Sequence, residues 1–199
     1  MIHPSISPQA LIRLGQVMQL WEERGAQVVT LPWMASANAM NATRPPERAL
    51  DSDISTPFGF LVASGEQAFL DLWTSAWKAG SMRIGWTPCF RHEPQFDATH
   101  HYCFCKAEVF VPVTAQTAQQ EVDRVRLLAL EILQQLLDRS HQSAELKCVQ
   151  TEQGYDIECN GVEVGSYGAR HHHNNWYVFG TALAEPRWST AVAKTASAL

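Results

Sequence analysis

Two strand-like runs on either side of a short polar stretch are the feature that most constrains the fold of this chain. The runs span residues 82–93 and 100–112, and the polar stretch spans residues 94–99. Short connections of this kind join antiparallel neighbours, so the two runs predict a hairpin. The other strand candidates occur in groups with helices inserted, rather than alternating one to one with helices. We therefore predict an α+β fold in which a mainly antiparallel sheet is flanked by helices.

The remaining elements follow from hydrophobic spacing and from helix- and strand-breaking residues. Apolar side chains recur every three or four residues in the helix candidates, and several candidates end at glycine or proline. The predicted helices span residues 7–24, 67–79, 115–139 and 185–196, and the other predicted strands span residues 27–31, 58–63, 144–150, 155–164 and 176–179. Residues 35–57 are small, polar and proline-containing, and we interpret them as a long surface loop.

Composition limits the classes of function that are open. The chain has 199 residues, of which 46% are hydrophobic, and this suits one compact catalytic domain over residues 1–199. Lysine and arginine total 15 against 20 aspartates and glutamates, without a basic run, which disfavours unaided binding of nucleic acid. Five cysteines without a secretory signal indicate reduced thiols and a cytoplasmic protein. No apolar stretch is long enough to cross a membrane.

One face of the predicted hairpin concentrates groups that suit a nucleotide. Alternate residues of a strand share a face, so Arg91 and Glu93 project together, as do Phe104, Lys106 and Glu108 on the second strand. A guanidinium suits a phosphate, a carboxylate can accept from an adenine amino group, and an aromatic ring can stack on a base. The alternative is an ordinary solvated face of salt-bridged charges.

The hairpin runs T-P-C-F-R-H-E and H-H-Y-C-F-C-K-A-E resemble motif 2 of class II aminoacyl-tRNA synthetases, closest to the seryl branch. The resemblance implies that Arg91 holds the α-phosphate of ATP. It also implies that Glu93 reads the adenine amino group and that Phe104 stacks on adenine. His100 would lie near the γ-phosphate, in place of an arginine.

Two later runs resemble further motifs of the same family. The run G-T-A-L-A-E-P-R resembles motif 3, a glycine-rich strand-to-helix turn, and implies that Arg187 clamps the γ-phosphate. Ala182 and Pro186 stand where the family has glycines. The run E-V-G-S resembles the seryl-type segment in which Glu163 and Ser166 would coordinate magnesium on the ATP phosphates. Hard oxygen ligands suit that ion.

Other parts of the resemblance concern the substrate and the oligomer. The run S-G-E is similar to the loop that holds the substrate amino group, which implies that Ser64 and Glu66 bind substrate, and Glu108 would face the substrate side chain. For both acids the alternative is a surface salt bridge. The first helix and strand have the layout of motif 1, the dimer interface of the family, so we expect a homodimer. Some seryl-like enzymes hold zinc between cysteines in the pocket, but the position around Ala63 lacks the first cysteine, so we expect no catalytic zinc.

Two clusters of potential metal ligands receive other interpretations. Residues 171–173 are adjacent histidines followed by two asparagines, a composition typical of a polar loop rather than of a transition-metal site. Cys103 and Cys105 point away from the face of Phe104 and are predicted to behave as small hydrophobic side chains.

The function that the resemblance implies is ATP- and Mg²⁺-dependent activation of an amino acid, or similar carboxylic acid, as its adenylate. The reaction needs positioning and charge stabilisation, for which Arg91 and Arg187 are the candidates. No anticodon-binding region is visible, so the acceptor is left open among a carrier protein, a peptide, a small amine and tRNA. The alternatives are tRNA aminoacylation with a partner subunit, and a non-catalytic paralogue that acts as a ligand sensor or regulator.

Overall fold

The computed structural model describes residues 6–44, 53–92 and 97–194. The helices in this part of the chain are α1 (Pro8–Glu22), α2 (Ala37–Thr43), α3 (Gly65–Leu72), α4 (Ala118–Arg139) and α5 (Arg187–Ala193). The strands are β1 (Gln27–Val28), β2 (Met34–Ala35), β3 (Ser55–Thr56), β4 (Gly59–Leu61), β5 (Arg83–Phe90), β6 (Cys103–Val113), β7 (Leu146–Thr151), β8 (Gly154–Cys159), β9 (Val162–His172) and β10 (Asn175–Glu185). None of these helices is long and apolar enough to cross a membrane.

Seven of the described strands form the main sheet, in the order β1-β5-β6-β10-β9-β8-β7. Neighbouring strands pair antiparallel, except that β1 pairs parallel with β5. The last strand, β10, lies between β6 and β9 and joins the two halves of the sheet. This sheet, with helices packed against it, confirms the predicted α+β class and its mainly antiparallel pairing.

The larger hydrophobic core lies between one face of the main sheet and helices α1, α4 and α5. Trp21 of α1, Leu133 of α4 and Trp188 of α5 are at most 1% exposed. They belong to the same core as Val109 of β6 and Ile157 of β8. Burying a side chain of this size stabilises the fold by about 1.5–3 kcal/mol. The helices therefore fix the sheet from this side and leave its other face to the site.

A smaller core covers one end of the opposite face, under α3. Phe110 of β6 and Tyr177 of β10 stack with their ring centroids 4.8 Å apart, and Phe69 of α3 stacks on Phe110 at 5.3 Å. Val109 and Phe110 are neighbours in one strand yet belong to different cores. Both faces of the sheet are thus packed here, as the alternation of side chains along a strand requires.

Residues 35–57, predicted as a loop, contain regular structure where they are described. The helix α2 and the short strand β3 lie in this range. Ser36 caps α2 by accepting a hydrogen bond from the Ala39 amide, and Asp71 of α3 accepts hydrogen bonds from Ser36. The loop prediction was wrong here because a helix of seven residues has too few apolar positions to show a period.

The helix predicted over residues 67–79 begins earlier and ends sooner, at Gly65–Leu72. Ser64 and Gln67 form a capping box at its start, which satisfies amides that the helix leaves unpaired. At its end Trp73 has extended backbone angles and packs edge-on against a ring of β6 at 5.2 Å. Trp73 is partly buried against the smaller core. Strand β1 is also shorter than predicted, and helix α5 begins later, at Arg187; residues 195 and 196 of the predicted helix lie outside the described residues.

The strand predicted over residues 155–164 is two strands, β8 and β9, joined by a tight turn. Strand β9 then continues through residues that were predicted as a polar loop, because His171 and His172 pair with β10. Only His173 lies in the turn, with a positive φ of 43°. The loop interpretation was therefore wrong for two of the three histidines.

Candidate functional site

A cavity of about 210 Å³ lies on the sheet face opposite α1, α4 and α5. Strands β6, β9 and β10 and the start of α3 supply much of its lining. The charged residues of the lining are Arg44, Arg91, Lys106, Arg170 and Arg187 on the basic side, and Asp53, Glu66, Glu108, Glu163 and Glu185 on the acidic side. These five basic residues are a third of the chain's 15 lysines and arginines. An equal number of acidic residues lines the cavity, so charges of both signs are available to a ligand there.

The hairpin of β5 and β6 brings Arg91, Phe104, Lys106 and Glu108 to this cavity. Arg91 follows β5 directly, and its Nε donates to the Ala63 carbonyl at 3.0 Å. Its guanidinium carbon lies 5.0 Å from the centroid of the Phe104 ring, within the range of a cation–π contact. The described members of the predicted hairpin face therefore lie together. The Ala63 carbonyl and the Phe104 ring hold the Arg91 side chain in one orientation.

His100 also lines the cavity, whereas Glu93 lies outside the described residues. The Nδ1 atom of His100 is 2.8 Å from a carboxylate oxygen of Asp97. Hydrogen bonds from the Thr99 amide and from the His100 ring lower the pKa of Asp97. The Thr190 hydroxyl of α5 donates to the Ala98 carbonyl at 3.0 Å, which attaches the segment before His100 to α5. The His100 ring is thus oriented by an ionised carboxylate.

A bulge in β9 places Glu163 and Ser166 on the same side of the sheet. The register between β8 and β9 passes over Val164, whose side chain lies in the large core. Without the extra residue, positions three apart in a strand would face opposite sides. Both Glu163 and Ser166 line the cavity. The bulge therefore brings together the carboxylate and hydroxyl that were predicted to act as a pair.

Arg187 reaches the cavity from the start of α5. A second bulge lies in β10, because its register with β6 passes over Ala182. The Nη1 atom of Arg187 is 3.1 Å from a carboxylate oxygen of Glu163, and the two side chains are 25% and 46% exposed. An exposed ion pair of this kind is worth about 0–1 kcal/mol. An anionic ligand can therefore replace Glu163 as the partner of Arg187 at little cost.

Glu108 is held by three neighbours at the start of α3. It is 5% exposed and accepts hydrogen bonds from the Ser64 hydroxyl, from the Gly65 amide and, at 2.9 Å, from the Lys106 ammonium. Burial alone would raise the pKa of Glu108. The Lys106 charge and the hydrogen bonds outweigh burial, so its pKa is lowered. The surface-salt-bridge alternative is wrong for this residue.

Glu66, the second predicted substrate acid, is also buried, at 6% exposure. The Nη1 atom of Arg170 donates to both of its carboxylate oxygens, at 2.9 and 2.7 Å, and the Tyr177 hydroxyl donates at 2.8 Å. Burial raises the pKa of Glu66, and the charge of Arg170 offsets part of that shift. The surface-salt-bridge alternative is wrong here too. A substrate ammonium group has to share Glu66 with Arg170.

Arg170 is the main lining residue that the sequence reasoning missed. It lies on β9 with its guanidinium carbon 4.2 Å from the centroid of the Phe179 ring. The alternation that starts at Ser166 continues to Arg170 and was available in the sequence, but the strand was predicted to end too early. A second missed pair is Arg44 with Asp53, which forms a salt bridge in the lining. Both of its members lie within the range that was interpreted as a loop.

None of the five cysteines is among the described residues that line the cavity. The five cysteines, all in described parts of the chain, form no disulfide. Cys105 is buried in the large core, on the face away from Phe104, as predicted. Burial raises the pKa of Cys89 to about 12. Within the residues that the structure describes, no group of three or more His, Cys, Asp or Glu side chains is placed to hold a metal ion.

Known proteins resemble this chain in structure. No protein-family model matches the sequence, and no curated protein matches it. Seryl-tRNA synthetase from Pyrococcus horikoshii, solved with ATP, superposes with a TM-score of 0.74 at 17% identity, over 92% of this chain and 49% of that one. Serine-tRNA ligase from Naegleria fowleri, solved with AMP, gives a TM-score of 0.67 at 14% identity, over 92% and 48%.

A pyrrolysyl-tRNA synthetase structure from Desulfitobacterium hafniense superposes with a TM-score of 0.64 at 14% identity, over 88% of this chain and 66% of that one. This chain thus spans about half the length of the two seryl enzymes. At these identities the likeness concerns the fold. The chain has the fold of the catalytic core of class II aminoacyl-tRNA synthetases.

Proposed function

We propose that this protein uses ATP to activate an amino acid or a similar carboxylic acid as its adenylate, and passes the acyl group to an acceptor that need not be tRNA. The observation that carries the proposal is the convergence of Arg91, Phe104 and Arg187, from three separate elements, on one cavity. These residues match the ATP-contacting positions of motifs 2 and 3. The fold supports the proposal, since structural neighbours were solved with ATP or AMP.

The proposed position of ATP follows the lining of the cavity. The Phe104 ring would stack on adenine, Glu93 would read its amino group, and Arg91 would hold the α-phosphate. Arg187 and His100 would contact the γ-phosphate. The weak pair between Arg187 and Glu163 supports this arrangement, because a phosphate oxygen is a stronger partner than an exposed carboxylate.

Glu163 and Ser166 fit a magnesium ion on the bound phosphates. The bulge in β9 puts both oxygen-bearing side chains in the lining. Mg²⁺ usually binds one or two carboxylates together with substrate phosphates and waters, so a site with few protein ligands is sufficient. When bound, the ion would neutralise charge on the phosphates. Catalytic zinc is still not expected.

The proposed chemistry requires positioning more than covalent catalysis. The substrate carboxylate attacks the α-phosphorus, the bond from that phosphorus to the bridging oxygen breaks, and pyrophosphate leaves. A carboxylate is already ionised at neutral pH, so this step needs no general base. Arg91 would stabilise charge at the α-phosphorus and Arg187 charge on the leaving pyrophosphate.

The proposed substrate end of the cavity contains Ser64, Glu66 and Glu108. The acid would place its amino group against Glu66, which Arg170 also holds, and its side chain towards Glu108. The two buried acids each have an internal cation, so the site accepts a zwitterion without a large net charge. The acceptor is proposed to be a carrier protein, a peptide, a small amine or tRNA.

We also propose that the protein is a cytoplasmic homodimer. Helix α1 exposes Leu11 and Ile12, at 46% and 59%, on the element that resembles the dimer-forming motif. Burial in a dimer interface would remove these two apolar side chains from water. The five unpaired cysteines suit a reducing compartment.

Amino-acid-dependent exchange between ATP and pyrophosphate tests the proposed activity. We expect exchange with one or a few of the standard amino acids, and we expect Arg91→Ala to abolish it. Arg124→Ala is the matched control, because Arg124 pairs with Glu121 on the exposed side of α4. Absence of exchange with every amino acid, combined with tight ATP binding, would instead favour another carboxylic acid or the sensor alternative.

A further inference from the structure

A network of three side chains joins the first helix to the turn that carries Arg187. Arg13 of α1 donates from Nε to a carboxylate oxygen of Glu185 and from Nη2 to the Ser189 hydroxyl, both at 2.5 Å. The amide and hydroxyl of Ser189 donate to the other oxygen of Glu185, at 3.2 and 2.6 Å. The contact between Arg13 and Glu185 crosses 172 residues of sequence.

Two residues of the network lie on either side of Arg187 in the sequence. Glu185 ends β10, Ser189 lies in the first turn of α5, and Arg187 lies midway between them. The Glu185 side chain is 1% exposed, and within the described residues Arg13 is the cation that pairs with it. A buried carboxylate requires such a partner. Both ends of the Arg187 turn are therefore attached to α1.

We propose that Arg13 is a positioning residue for the triphosphate: it holds Glu185 and Ser189, and through them directs the Arg187 guanidinium towards the γ-phosphate. This inference rests on the proposed function and extends it to a helix outside the site. Arg13 is absent from the described lining of the cavity, so its effect on a ligand is indirect.

The proposed role of Arg13 predicts different effects on the binding of ATP and of AMP. Adenine and the α-phosphate would be held by Phe104 and Arg91, which lie on other elements. AMP lacks the phosphates that Arg187 would contact. Loss of Arg13 should therefore weaken binding of ATP and leave binding of AMP unchanged, whereas general damage to the fold would weaken both.

The test is calorimetric measurement of the dissociation constants for ATP and AMP, in the presence of Mg²⁺. Removal of Arg187 itself, by Arg187→Ala, should weaken ATP binding about 10- to 100-fold, as expected for a hydrogen bond to a charged group. We expect Arg13→Ala to weaken ATP binding about 10-fold, without a change for AMP. The control is Arg24→Ala, just beyond the same helix, where Arg24 binds the Leu20 carbonyl; it should change neither constant.

Two further variants keep the test decisive. Ser189→Ala preserves the buried ion pair between Arg13 and Glu185 and removes the hydroxyl that binds both of them. It should weaken ATP binding about 3-fold without a change for AMP. This variant gives a result even if Arg13→Ala does not fold. Adding Arg13→Ala to Arg187→Ala should cause no further loss, because both changes remove one interaction.

The possible failures differ from one another. Equal weakening of ATP and AMP by Arg13→Ala, or unchanged binding of both, overturns the inference and leaves the proposed function in place. If Arg13→Ala does not fold, the result from Ser189→Ala decides instead. An unchanged ratio of its ATP and AMP dissociation constants overturns the inference and leaves the proposed function in place. Failure of the unmodified protein to bind ATP overturns the proposed function and the inference together.

Discussion

At the scale of single residues, Glu108 links the start of α3 to the hairpin and makes stability depend on pH. Its folded pKa lies below the ordinary value of 4.5. The stabilisation that Glu108 provides is therefore complete above that value and is lost as the pH falls below it, through the folded pKa. Acid should weaken this corner of the cavity.

Glu108→Gln should remove that dependence. We expect the substitution to lower the free energy of unfolding by about 1–3 kcal/mol at neutral pH, because it takes a charge-assisted acceptor from three donors. The difference in the free energy of unfolding between the variant and the unmodified protein should become smaller as the pH falls below 4.5. Urea unfolding at several pH values measures it, and Glu131→Gln on the exposed side of α4 is the control. A difference that stays constant with pH would contradict the assignment.

The cysteines should differ sharply in reactivity. Burial raises the pKa of Cys89 and of Cys105 to about 12 for each, whereas Cys148 is exposed on the edge strand β7. The thiolate is the reactive form, so buried thiols of high pKa react slowly. Iodoacetamide at pH about 8 should label Cys148 first, as read by peptide mass spectrometry. Cys148→Ser should remove the fast phase, and rapid labelling of Cys89 would contradict the described burial.

At the scale of elements, the start of α3 approaches the Glu108 side chain closely at a glycine. A Cβ atom added to Gly65 would lie 2.8 Å from a carboxylate oxygen of Glu108 and 3.3 Å from a methyl carbon of Leu31. Gly15, inside α1, has no heavy atom within 4 Å of the corresponding position. The two glycines therefore form a matched pair.

Gly65→Ala should destabilise the protein by about 1–3 kcal/mol, because the helix or the Glu108 side chain has to shift and the hydrogen bonds that hold Glu108 are disturbed. Gly15→Ala should stabilise it by about 0.5–1 kcal/mol, because alanine loses less backbone entropy in a helix. Chemical denaturation of both variants measures these effects. An equal response of the two variants would show that the contact between α3 and Glu108 is looser than described.

The elements of the site differ in how far sequence could predict them. Alternation along the hairpin was sufficient to put Arg91 and Phe104 together, because a regular strand has a fixed period. Regular alternation would have put Glu163 and Ser166 on opposite faces of the strand. Only the resemblance to the family motif predicted that they act together. The bulge that resolves this is set by packing of Val164 in the core, which local sequence does not reveal. Arg170 was missed for a related reason, since nothing local indicates how far β9 extends.

At the scale of the whole molecule, the fold class was predictable because the hairpin, the long helix α4 and the grouped strands all favour one arrangement. The small elements around residues 34–56 were not, since each is too short to carry a period and is stabilised by tertiary contacts such as that of Ser36 with Asp71. The order of strands in the sheet depends on long-range pairing and was not predicted from the sequence.

The proposed homodimer should depend on the exposed side of α1. Ile12→Glu should convert a dimer into a monomer, because it places a charge in an apolar interface, as measured by light scattering after size exclusion. Leu127→Glu is the control, since Leu127 is similarly exposed, at 51%, on α4. A monomeric unmodified protein, or an equal effect of the two substitutions, would contradict the proposed interface.

The central place of β10 determines when a site can exist during synthesis. This strand is the last of the described strands to be made, yet it fills the middle of the sheet, where its Trp176 pairs with Val113. Without β10, β6 and β9 would each lack a neighbour on one side, and the cavity would lack the residues that β10 supplies. Arg187 follows β10 in the chain, at the start of α5. A chain that ends before this strand therefore lacks the lining residues that β10 and α5 supply, and it lacks a complete cavity.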